Sequence, residues 1–370
     1  MKENKARVIA FYLPQYHPIP ENDKYWGKGF TEWTNVAKAK PLFRGHYQPH
    51  IPADLGFYDL RLPEVREAQA ELARDAGIEG FCYYHYWFGN GKMLLQKPFE
   101  EVLRLGKPDF PFCLCWANHD WTTKTWVKGS SMVNNTMIAQ QEYLGEQDDI
   151  KHFEYCLRAF KDHRYITIEG KPIFLIYDPL SFPNVKEFMN MWNFLAKKNN
   201  LKGIYFIGVT TGRQSSYKIV TNLGFDGVCH NRRWEAEAKA AGFRFVRRMQ
   251  SLLGWHLGIS LMKYDYNKVV RNYDTPENKL ENCYPVITPG FDRTPRAGRR
   301  AGIYVNSSPK NFKKHVAEIC KSIQDKDDDH RLVFLSAWNE WGEGNYMEPD
   351  LKWGHGYLEA LKSVVKFQIK

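Results

Sequence analysis

Two glutamates, Glu340 and Glu343, stand three residues apart in a segment that reads SAWNEWGEGNYMEP over residues 336–349. Cleavage of a glycosidic bond typically uses two carboxyl groups. One protonates the departing oxygen, and the other attacks or stabilises the cationic sugar carbon or activates a group that does so. The neighbouring indoles of Trp338 and Trp341 would lower the local polarity and raise the pKa of one carboxyl group, which would keep its proton. The spacing therefore predicts a carboxyl pair for glycosidic chemistry; the alternative is two ordinary loop residues near tryptophan.

Three further segments combine aromatic and polar side chains: FYLPQYHP with the downstream WGKGFTEWTN, then YYHYW, and then CWANHDW. Each extends across the end of a predicted strand, so all of them would lie on the same rim as the glutamate pair. Aromatic rings stack on the apolar faces of sugars, and polar groups fix the orientation of a ligand. The alternative for the first segment is that its residues only order a long loop. The residues predicted to bind a sugar substrate are Tyr12, Gln15, Tyr16, His17, Glu32, Trp33, Tyr84, His85, Trp87, Trp116, Asn118, His119, Asp120, Asn339, Trp341, Tyr346 and Glu348.

Neither a metal site nor a cofactor is predicted. His85, His119 and Asp120 occur without a second ligand pair at helical spacing, and the seven cysteines form no metal-ligand pattern. The acidic run Asp327–Asp329 falls between a predicted helix and the last predicted strand, on the face opposite the glutamate pair. We interpret this run as a solvated turn rather than as an Asp-x-Asp metal motif.

Eight short apolar runs alternate with amphipathic stretches along the chain. Continuous hydrophobicity is typical of a parallel strand that is buried on both faces, and eight βα units predict a closed (β/α)8 TIM barrel of the α/β class. A doubly wound open sheet is the alternative, but no GxGxxG or GxxxxGK(S/T) motif follows any of the strands. The predicted strands are Arg7–Leu13, Ile78–Tyr84, Phe112–Trp116, Ile173–Tyr177, Ile204–Val209, Gly227–His230, Tyr284–Thr288 and Leu332–Trp338.

Two of the predicted connections are long, residues 14–61 after the first strand and residues 231–282 after the sixth. Both follow strands and would project from the carboxyl-terminal face, where enzymes with this fold build their active sites. Because the sequence contains no low-complexity linker and no internal repeat, we expect a single domain over residues 1–370. The predicted helices cover residues 63–76, 99–105, 148–163, 184–199, 214–223, 308–325 and 354–368.

The composition is that of a folded protein with a basic charge: 370 residues, 43% hydrophobic, 15% aromatic, and a net charge of +10. A basic charge can indicate nucleic acid, a membrane surface or an acidic substrate. No nucleic-acid-binding motif and no long Lys/Arg run is present, so we predict no nucleic-acid partner. Apolar surroundings of Cys82, Cys113 and Cys115 predict buried thiols in a reducing compartment. We find no signal-peptide core and no membrane span, and we expect a cytoplasmic location.

A group of arginines follows the sixth and seventh predicted strands and would therefore lie on the same face as the glutamates. Guanidinium groups bind carboxylates and phosphates with two parallel hydrogen bonds. We therefore interpret these residues as contacts for an anionic glycan or a pyrophosphate group, with general surface charge as the alternative. They are Arg232, Arg233, Arg293, Arg296, Arg299 and Arg300.

Several long segments together resemble the WbsX family, whose members are similar to proteins of glycoside hydrolase family 99. The segments are FYLPQYHPIPEND, WGKGFTEWTNVAKAKPLFRGHYQPHIPADLGFYDLR, GIEGFCYYHYWF, GKPIFLIYDP and WNEWGEGNYMEPD, and the likeness extends from Ala10 to Glu359. The resemblance implies a (β/α)8 barrel and cytoplasmic work on bacterial cell-surface polysaccharide or lipopolysaccharide. The family is commonly described as glycosyltransferases, although its fold and its motif are those of a hydrolase.

The related endo-α-mannosidases carry two glutamates three residues apart after the eighth strand, and these match Glu340 and Glu343. The resemblance implies that Glu340 acts as a base on the sugar's 2-hydroxyl group and forms an anhydro-sugar intermediate. Glu343 would then protonate the leaving group and later activate water or an acceptor, and Tyr12 would contact the sugar. The chain departs from the family at His119, where the usual segment has glutamate, and at residues 289–295, which differ from the usual Trp-Asp-Asn-Thr-Pro type. These departures affect the expected substrate more than the fold.

Taken together, the residues and the resemblance predict an enzyme that acts on glycosidic bonds with a glutamate pair and no metal. Its expected partner is an oligosaccharide or polysaccharide. Because the protein is basic, this glycan is expected to be anionic or linked to a lipid. Hydrolase or transglycosylase activity and glycosyltransferase activity in O-antigen or capsule synthesis stay open as alternatives. A non-catalytic glycan-binding barrel is an alternative of a different class, and a nucleic-acid binder rests on charge alone.

Overall fold

The computed structural model describes residues 6–123, 136–212, 215–242, 249 and 262–365. Its central feature is a parallel sheet that closes on itself, because each strand pairs with the next one along the chain and the last pairs with the first. The predicted eight-stranded TIM barrel is therefore confirmed. The strands are β1 (Arg7–Tyr12), β2 (Gly80–His85), β3 (Phe112–Trp116), β4 (Lys171–Ile176), β5 (Tyr205–Val209), β6 (Gly227–His230), β7 (Cys283–Ile287) and β8 (Leu332–Leu335).

The barrel strands are apolar along their whole length because they are covered on both faces. Every residue of β3 is buried, and in β4 only Lys171 is partly exposed. From the outer layer of helices, the ring of Trp192 packs on Phe174 of β4 with the ring centroids 4.8 Å apart. Burial stabilises such contacts by about 25 cal/mol for each Å² of apolar surface removed from water. This two-sided burial explains why the sequence shows continuous apolar runs rather than alternation.

Helices surround the barrel, and the longer ones occur where the sequence predicted them. The short helices in the connections were not predicted, because one or two turns held by tertiary contacts leave little periodic pattern in a sequence. The helices are α1 (Pro20–Trp26), α2 (Glu32–Lys38), α3 (Pro63–Asp75), α4 (Lys97–Leu105), α5 (Glu146–Phe160), α6 (Val185–Lys198), α7 (Tyr217–Asn222), α8 (Arg233–Ala240), α9 (Tyr266–Val270), α10 (Thr294–Ala297), α11 (Pro309–Ser322) and α12 (Gly356–Lys362).

Both long connections follow barrel strands, as predicted. The connection after β1 contains α1 and α2. The connection after β6 contains α8, α9 and a short strand, Met262–Asp265, that pairs in parallel with Gly302–Val305 from the connection after β7. The part of it at residues 243–248 and 250–261 lies outside the described residues. Contacts between separate connections therefore build the carboxyl-terminal face of the barrel.

The eighth strand ends at Leu335, earlier than the predicted Trp338. Beyond it the chain leaves the barrel ladder, and Asn339–Glu340 pairs with Asn345–Tyr346 as a small antiparallel hairpin. The turn of this hairpin contains the second glutamate of the motif, Glu343. The glutamate pair is thus held by a separate piece of local structure across the end of the barrel.

Other predictions about the chain have mixed outcomes. All seven cysteines are buried and free of disulfide bonds, and Cys82, Cys113 and Cys115 are among them, as their apolar surroundings predicted. Asp329 lies 3.8 Å from Arg7 at the start of β1, so the acidic run is on the face opposite the glutamate pair, also as predicted. No helix in the described ranges is both long enough and apolar enough to cross a membrane. The single domain stays a prediction.

Candidate active site

A cavity of about 360 Å³ lies at the carboxyl-terminal end of the barrel. All eight strands contribute to its wall through residues at or just beyond their ends. This is the position at which barrel enzymes place their catalytic groups, because the loops that follow the strands converge there. Representative wall residues, one from each strand in order, are Leu13, Tyr84, Ala117, Tyr177, Thr210, Asn231, Thr288 and Ser336.

A single arginine, Arg296, contacts both predicted glutamates in this cavity. Its Nη1 donates to Glu343 Oε1 at 2.7 Å and its Nη2 donates to Glu340 Oε2 at 3.0 Å. Its Nε donates to Glu32 Oε1 at 2.8 Å, so a third carboxylate lies behind the pair. The side chain of Arg296 is only 8% exposed, and that of Glu32 is fully buried. Charge-assisted hydrogen bonds of this kind fix geometry as well as charge, so the glutamate pair is held in a defined position.

Gly342, between the two glutamates, permits the close approach of these groups. A Cβ atom at this position would collide with the carboxylate of Glu32 and lie 2.9 Å from Arg296 Nε. Any other residue would therefore force Glu32 or Arg296 to move. The glycine in the motif is required by this contact rather than only by the turn.

The two glutamates have opposite pKa shifts. Burial raises the pKa of Glu340 to about 7, although the charge of Arg296 opposes the rise. Burial alone would also raise the pKa of Glu343, but Arg296, Arg293 and Arg233 outweigh it and hold this pKa below its ordinary value. In this structure Glu340 is therefore the group that can keep a proton near neutral pH, and Glu343 is ionised.

Asn339 fastens the hairpin to the first barrel strand. The Leu13 N–H donates to Asn339 Oδ1 at 2.8 Å, and Asn339 Nδ2 donates to the Leu13 carbonyl at 3.0 Å. The hydroxyl of Tyr16 donates to the Asn339 carbonyl and accepts from the Trp341 N–H at 3.2 Å. These predicted residues hold the backbone on either side of Glu340 and are fully buried.

Glu348 is a buried carboxyl group behind the hairpin. It accepts hydrogen bonds from Trp341 Nε1 at 2.5 Å, Gln69 Nε2 at 2.6 Å and the Tyr58 hydroxyl at 2.9 Å. Burial raises its pKa to about 7, while these donors oppose the rise. Glu348 thereby orients Trp341, the residue that separates Glu340 from Gly342, without reaching the cavity.

The structure divides the predicted site residues into two groups. The first group lines the cavity and consists of Gln15, Tyr84, His119, Asp120, Glu340 and Glu343. The second group is buried and is absent from the wall of this cavity. Its members are Tyr12, Tyr16, His17, Glu32, Trp33, His85, Trp87, Trp116, Asn118, Asn339, Trp341, Tyr346 and Glu348. Successive side chains of a strand point to opposite faces, so a segment at a strand end contributes to both groups.

The arginines after the sixth and seventh strands also divide. Arg233, Arg293 and Arg296 line the cavity, in agreement with their predicted place on the active-site face. Arg232 instead approaches Glu235, with 3.5 Å between Nε and Oε2. The two remaining ones are Arg299, which is exposed, and Arg300, whose side chain lies outside the described residues.

Several aromatic residues of the wall were not selected from the sequence, although Tyr86 and Trp121 lie within the segments YYHYW and CWANHDW. Tyr86 and Trp121 stack with their ring centroids 5.2 Å apart, and Tyr177 follows β4. Trp234 lies at the same wall and is 41% exposed, which is unusual for a tryptophan. The sequence signal for these residues is their position shortly after a strand. The selected residues share this position, so the signal does not distinguish between them. Flat rings with an open face are suited to stacking on sugars.

Within the described residues, one group of side chains has the composition of a metal site: His85, His152 and Cys156. The Nε2 atoms of the two histidines are 2.8 Å apart, the distance of an N–H···N hydrogen bond. Nδ1 of His152 has no hydrogen-bond partner, whereas a metal-bound histidine almost always uses its second nitrogen. Burial lowers the pKa of both histidines, and Trp87 stacks on His152 at 4.7 Å. We therefore interpret this group as part of the core.

The chain is similar in sequence to two curated proteins. Two curated relatives, both described as uncharacterized protein WxcX, come from Xanthomonas campestris pv. campestris strains B100 and ATCC 33913. Each is 34% identical to this chain over 361 residues, which is 97% of the chain. The chain spans about half the length of these relatives, since the match covers 50% of each.

Two solved structures share the fold. One is described as a glycoside hydrolase-like protein and has a TM-score of 0.57 at 16% identity, with 98% of this chain and 95% of that chain covered. The other is the GH99 endo-alpha-mannosidase from Bacteroides thetaiotaomicron, with a TM-score of 0.56 at 16% identity and coverage of 97% and 96%. At such low identity the likeness establishes the barrel and nothing finer. A family model described as glycosyltransferase WbsX matches residues 8–361, from the first barrel strand to the last helix. As its motifs predicted, this chain belongs to the WbsX family.

Proposed function

We propose that this protein is an enzyme that acts on glycosidic bonds of a bacterial cell-surface polysaccharide or lipopolysaccharide glycan. Glu340 and Glu343 are its working carboxyl groups. The observation that supports this most directly is that both line one cavity at the barrel mouth and both bind Arg296, at 3.0 and 2.7 Å. Family membership and a barrel shared with an endo-alpha-mannosidase support a glycan as the substrate.

The division of acid and base roles between the glutamates has two versions. The family resemblance implies that Glu340 is the base on the 2-hydroxyl group and Glu343 the acid. The charges around the cavity favour the reverse, because Glu340 has a pKa of about 7 and the pKa of Glu343 is held below its ordinary value. A general acid works best with a pKa near the operating pH. The two versions differ in their pH dependence and can be separated by experiment.

Glycosyl transfer is the second candidate reaction, and the description of the family as glycosyltransferases favours it. In that reaction an acceptor hydroxyl group takes the place of water, so the same pair of carboxyl groups could serve. In both versions the partner is an oligosaccharide or polysaccharide, anionic or lipid-linked, and the enzyme works in the cytoplasm. Neither version requires a cofactor or a nucleic acid.

The test is to incubate the purified protein with surface polysaccharides and lipid-linked oligosaccharides, without a nucleotide sugar, and to detect products by mass spectrometry. We expect fragments from the wild type and a loss of about 10²–10⁴-fold in rate for Glu340→Gln and for Glu343→Gln. Glu101→Gln is the matched control, because Glu101 lies on the outer helix α4 and pairs only with Arg104 among the described residues. Its activity should equal that of the wild type.

Each result separates the candidates. Products that form only after an activated donor is supplied would favour the transferase. Glycan binding without turnover under either condition would favour a non-catalytic glycan-binding barrel. Equal fragmentation by the wild type and both glutamate variants would contradict the assignment of the pair.

A further inference from the structure

Two arginines of the cavity wall, Arg233 and Arg293, are more exposed than Arg296. Arg296 is 8% exposed and bonds to three carboxylates. The side chains of Arg233 and Arg293 are 28% and 33% exposed, and both line the cavity. Part of each of these two side chains is therefore accessible to a ligand that enters the cavity, whereas Arg296 is enclosed.

Aromatic rings hold Arg233 in a fixed orientation. Its Cζ atom lies 4.9 Å from the ring centroid of Trp234 and 4.6 Å from that of Phe291. Among the described residues its carboxylate contact is Glu237, and that distance, 3.9 Å, is too long for a hydrogen bond. Stacking uses the flat faces of a guanidinium group and leaves its N–H edge for a ligand.

Arg293 carries a donor that its neighbours do not satisfy. Its Nε atom is buried and has no hydrogen-bond partner among the described residues. Its ion-pair partner is Glu343 Oε1 at 3.4 Å, and this oxygen already accepts from Arg296 at 2.7 Å. A buried donor without a partner is unfavourable, so an acceptor that reached this donor would be favoured.

The remaining charges of the cavity are largely committed. Glu340 and Glu343 share Arg296, and the Asp120 carboxylate accepts from the Gln141 N–H at 2.8 Å. Burial lowers the pKa of His119, so this wall residue is neutral near pH 7. Among the charged side chains of the wall, Arg233 and Arg293 therefore offer N–H groups to a ligand near Glu343.

We propose that Arg233 and Arg293 bind an anionic oxygen group, a carboxylate or a phosphate, carried by the glycan substrate next to the bond that reacts. This inference deepens the proposed function and rests on it, because it names a chemical feature of the substrate of the same cavity. A guanidinium group matches the geometry of either anion through two parallel hydrogen bonds. The alternative role for both arginines is only to keep Glu343 ionised.

Binding of simple sugars tests the proposal without knowledge of the natural substrate. Calorimetric titration of the purified full chain would use glucose and galactose, the matching uronic acids, and the matching 1-phosphates. We expect the wild type to bind at least one anionic sugar about tenfold more tightly than its neutral counterpart, as a charged hydrogen bond would provide. A preference for the uronic acids identifies a carboxylate, and a preference for the 1-phosphates identifies a phosphate.

Variants assign this preference to the two arginines. Arg233→Gln and Arg293→Gln should each weaken binding of the preferred anionic sugar about tenfold and leave the neutral sugar unchanged. Arg293→Lys keeps the charge without the planar fork and should give an intermediate loss. Arg104→Gln is the control, since Arg104 is 60% exposed on an outer helix. Melting temperatures of all variants would verify that they are folded.

The proposal is overturned if the wild type binds no anionic sugar more tightly than its neutral counterpart, or if both glutamine variants keep the preference. In either case, cleavage of a neutral glycan that depends on Glu340 and Glu343 would leave the proposed function intact. Failure of the proposal can therefore be distinguished from failure of the function on which it rests.

Discussion

At the scale of single residues, Arg296 influences the protonation of the glutamate pair. The guanidinium group donates hydrogen bonds to Glu32, Glu340 and Glu343 together. Glu32 is fully buried, and a buried charge without a counter-ion is strongly destabilising. We infer that Glu32 anchors Arg296, and that Arg296 in turn sets which of the two glutamates carries a proton.

Replacement of Arg296 should therefore move the pH profile of the reaction. Arg296→Gln removes a positive charge and should raise the pKa of both Glu340 and Glu343. If Glu340 is the acid, wild-type kcat/KM falls above about pH 7, and this alkaline limb moves to higher pH in the variant. If Glu340 is the base, kcat/KM instead rises through that region, and the acidic limb moves to higher pH. The shift would be measured as a profile of kcat/KM against pH, for the substrate whose products mass spectrometry identifies.

Arg296→Lys is the matched control for charge. It keeps a cation near the pair and should move either limb less than Arg296→Gln does. Identical profiles for the wild type and the glutamine variant would show that Arg296 does not set the protonation of the pair.

At the scale of secondary structure, helices are fixed to the barrel by large aromatic side chains on one face. Trp192 of α6 is fully buried, donates from Nε1 to the Asp149 carbonyl of α5 at 3.0 Å, and packs on Phe174 of β4. Phe194, two residues along the same helix, is 64% exposed. The helix thus contributes to stability through one face only.

Truncation of these two aromatic residues should therefore have very different effects on stability. Trp192→Ala removes buried contacts and leaves a cavity, and it should lower the free energy of unfolding by about 3–5 kcal/mol. Phe194→Ala should change it by about 0.5 kcal/mol or less, as for most surface positions. Urea denaturation followed by circular dichroism would measure both. Similar losses for the two variants would mean that α6 is not packed as described.

At the scale of the whole molecule, contacts join distant connections at the mouth of the barrel. His46 and Gln48 from the connection after β1 bind Asp292 from the connection after β7, with Nε2 of each 2.7 Å from Asp292 Oδ2. The contact between Glu32 and Arg296 joins the same two connections at 2.8 Å. These bonds cross from one part of the barrel mouth to another and hold the glutamate hairpin between them.

The Asp292 contacts predict a dependence of stability on acid. Burial alone would raise the pKa of Asp292, but hydrogen bonds from His46, Thr294 and Gln48 hold it below its ordinary value. The resulting stability is fully present above the pKa of the unfolded chain, about 3.9, and is lost as the pH falls through the lower folded value. Asp292→Asn should cost about 1–3 kcal/mol in the free energy of unfolding at pH 6, with a smaller difference from the wild type below about pH 4.

A surface pair provides the control for this prediction. His355 and Asp54 are also 2.7 Å apart, but their side chains are 45% and 41% exposed. Asp54→Asn should therefore have an effect below about 1 kcal/mol at either pH. Equal effects of the two substitutions, measured by urea denaturation at both pH values, would contradict a structural role for Asp292.

The sequence by itself determined the barrel, the place of the glutamate pair and the family. Continuous apolar runs are typical of strands that are covered on both faces, so eight of them separated by helical patterns predict a closed parallel sheet. The end of β8 was not located, because the predicted strand, Leu332–Trp338, continues into the motif, whereas the observed strand ends at Leu335. Since loops that follow the strands of a barrel meet on one face, Glu340 and Glu343 could be assigned to the same rim as the arginines.

Only the tertiary structure decided which side chains of the rim face the cavity. Tyr84 lines it, whereas Tyr12 points into the packing and donates to Gln69 Oε1 at 2.7 Å, although both occur in similar aromatic segments. The direction of a side chain depends on the pleat and twist of its strand, and these are set by pairing with neighbours distant in sequence. The same holds for Arg296, which reaches the glutamates across 44 and 47 residues of sequence. No local pattern encodes such contacts, because they form only when the barrel closes.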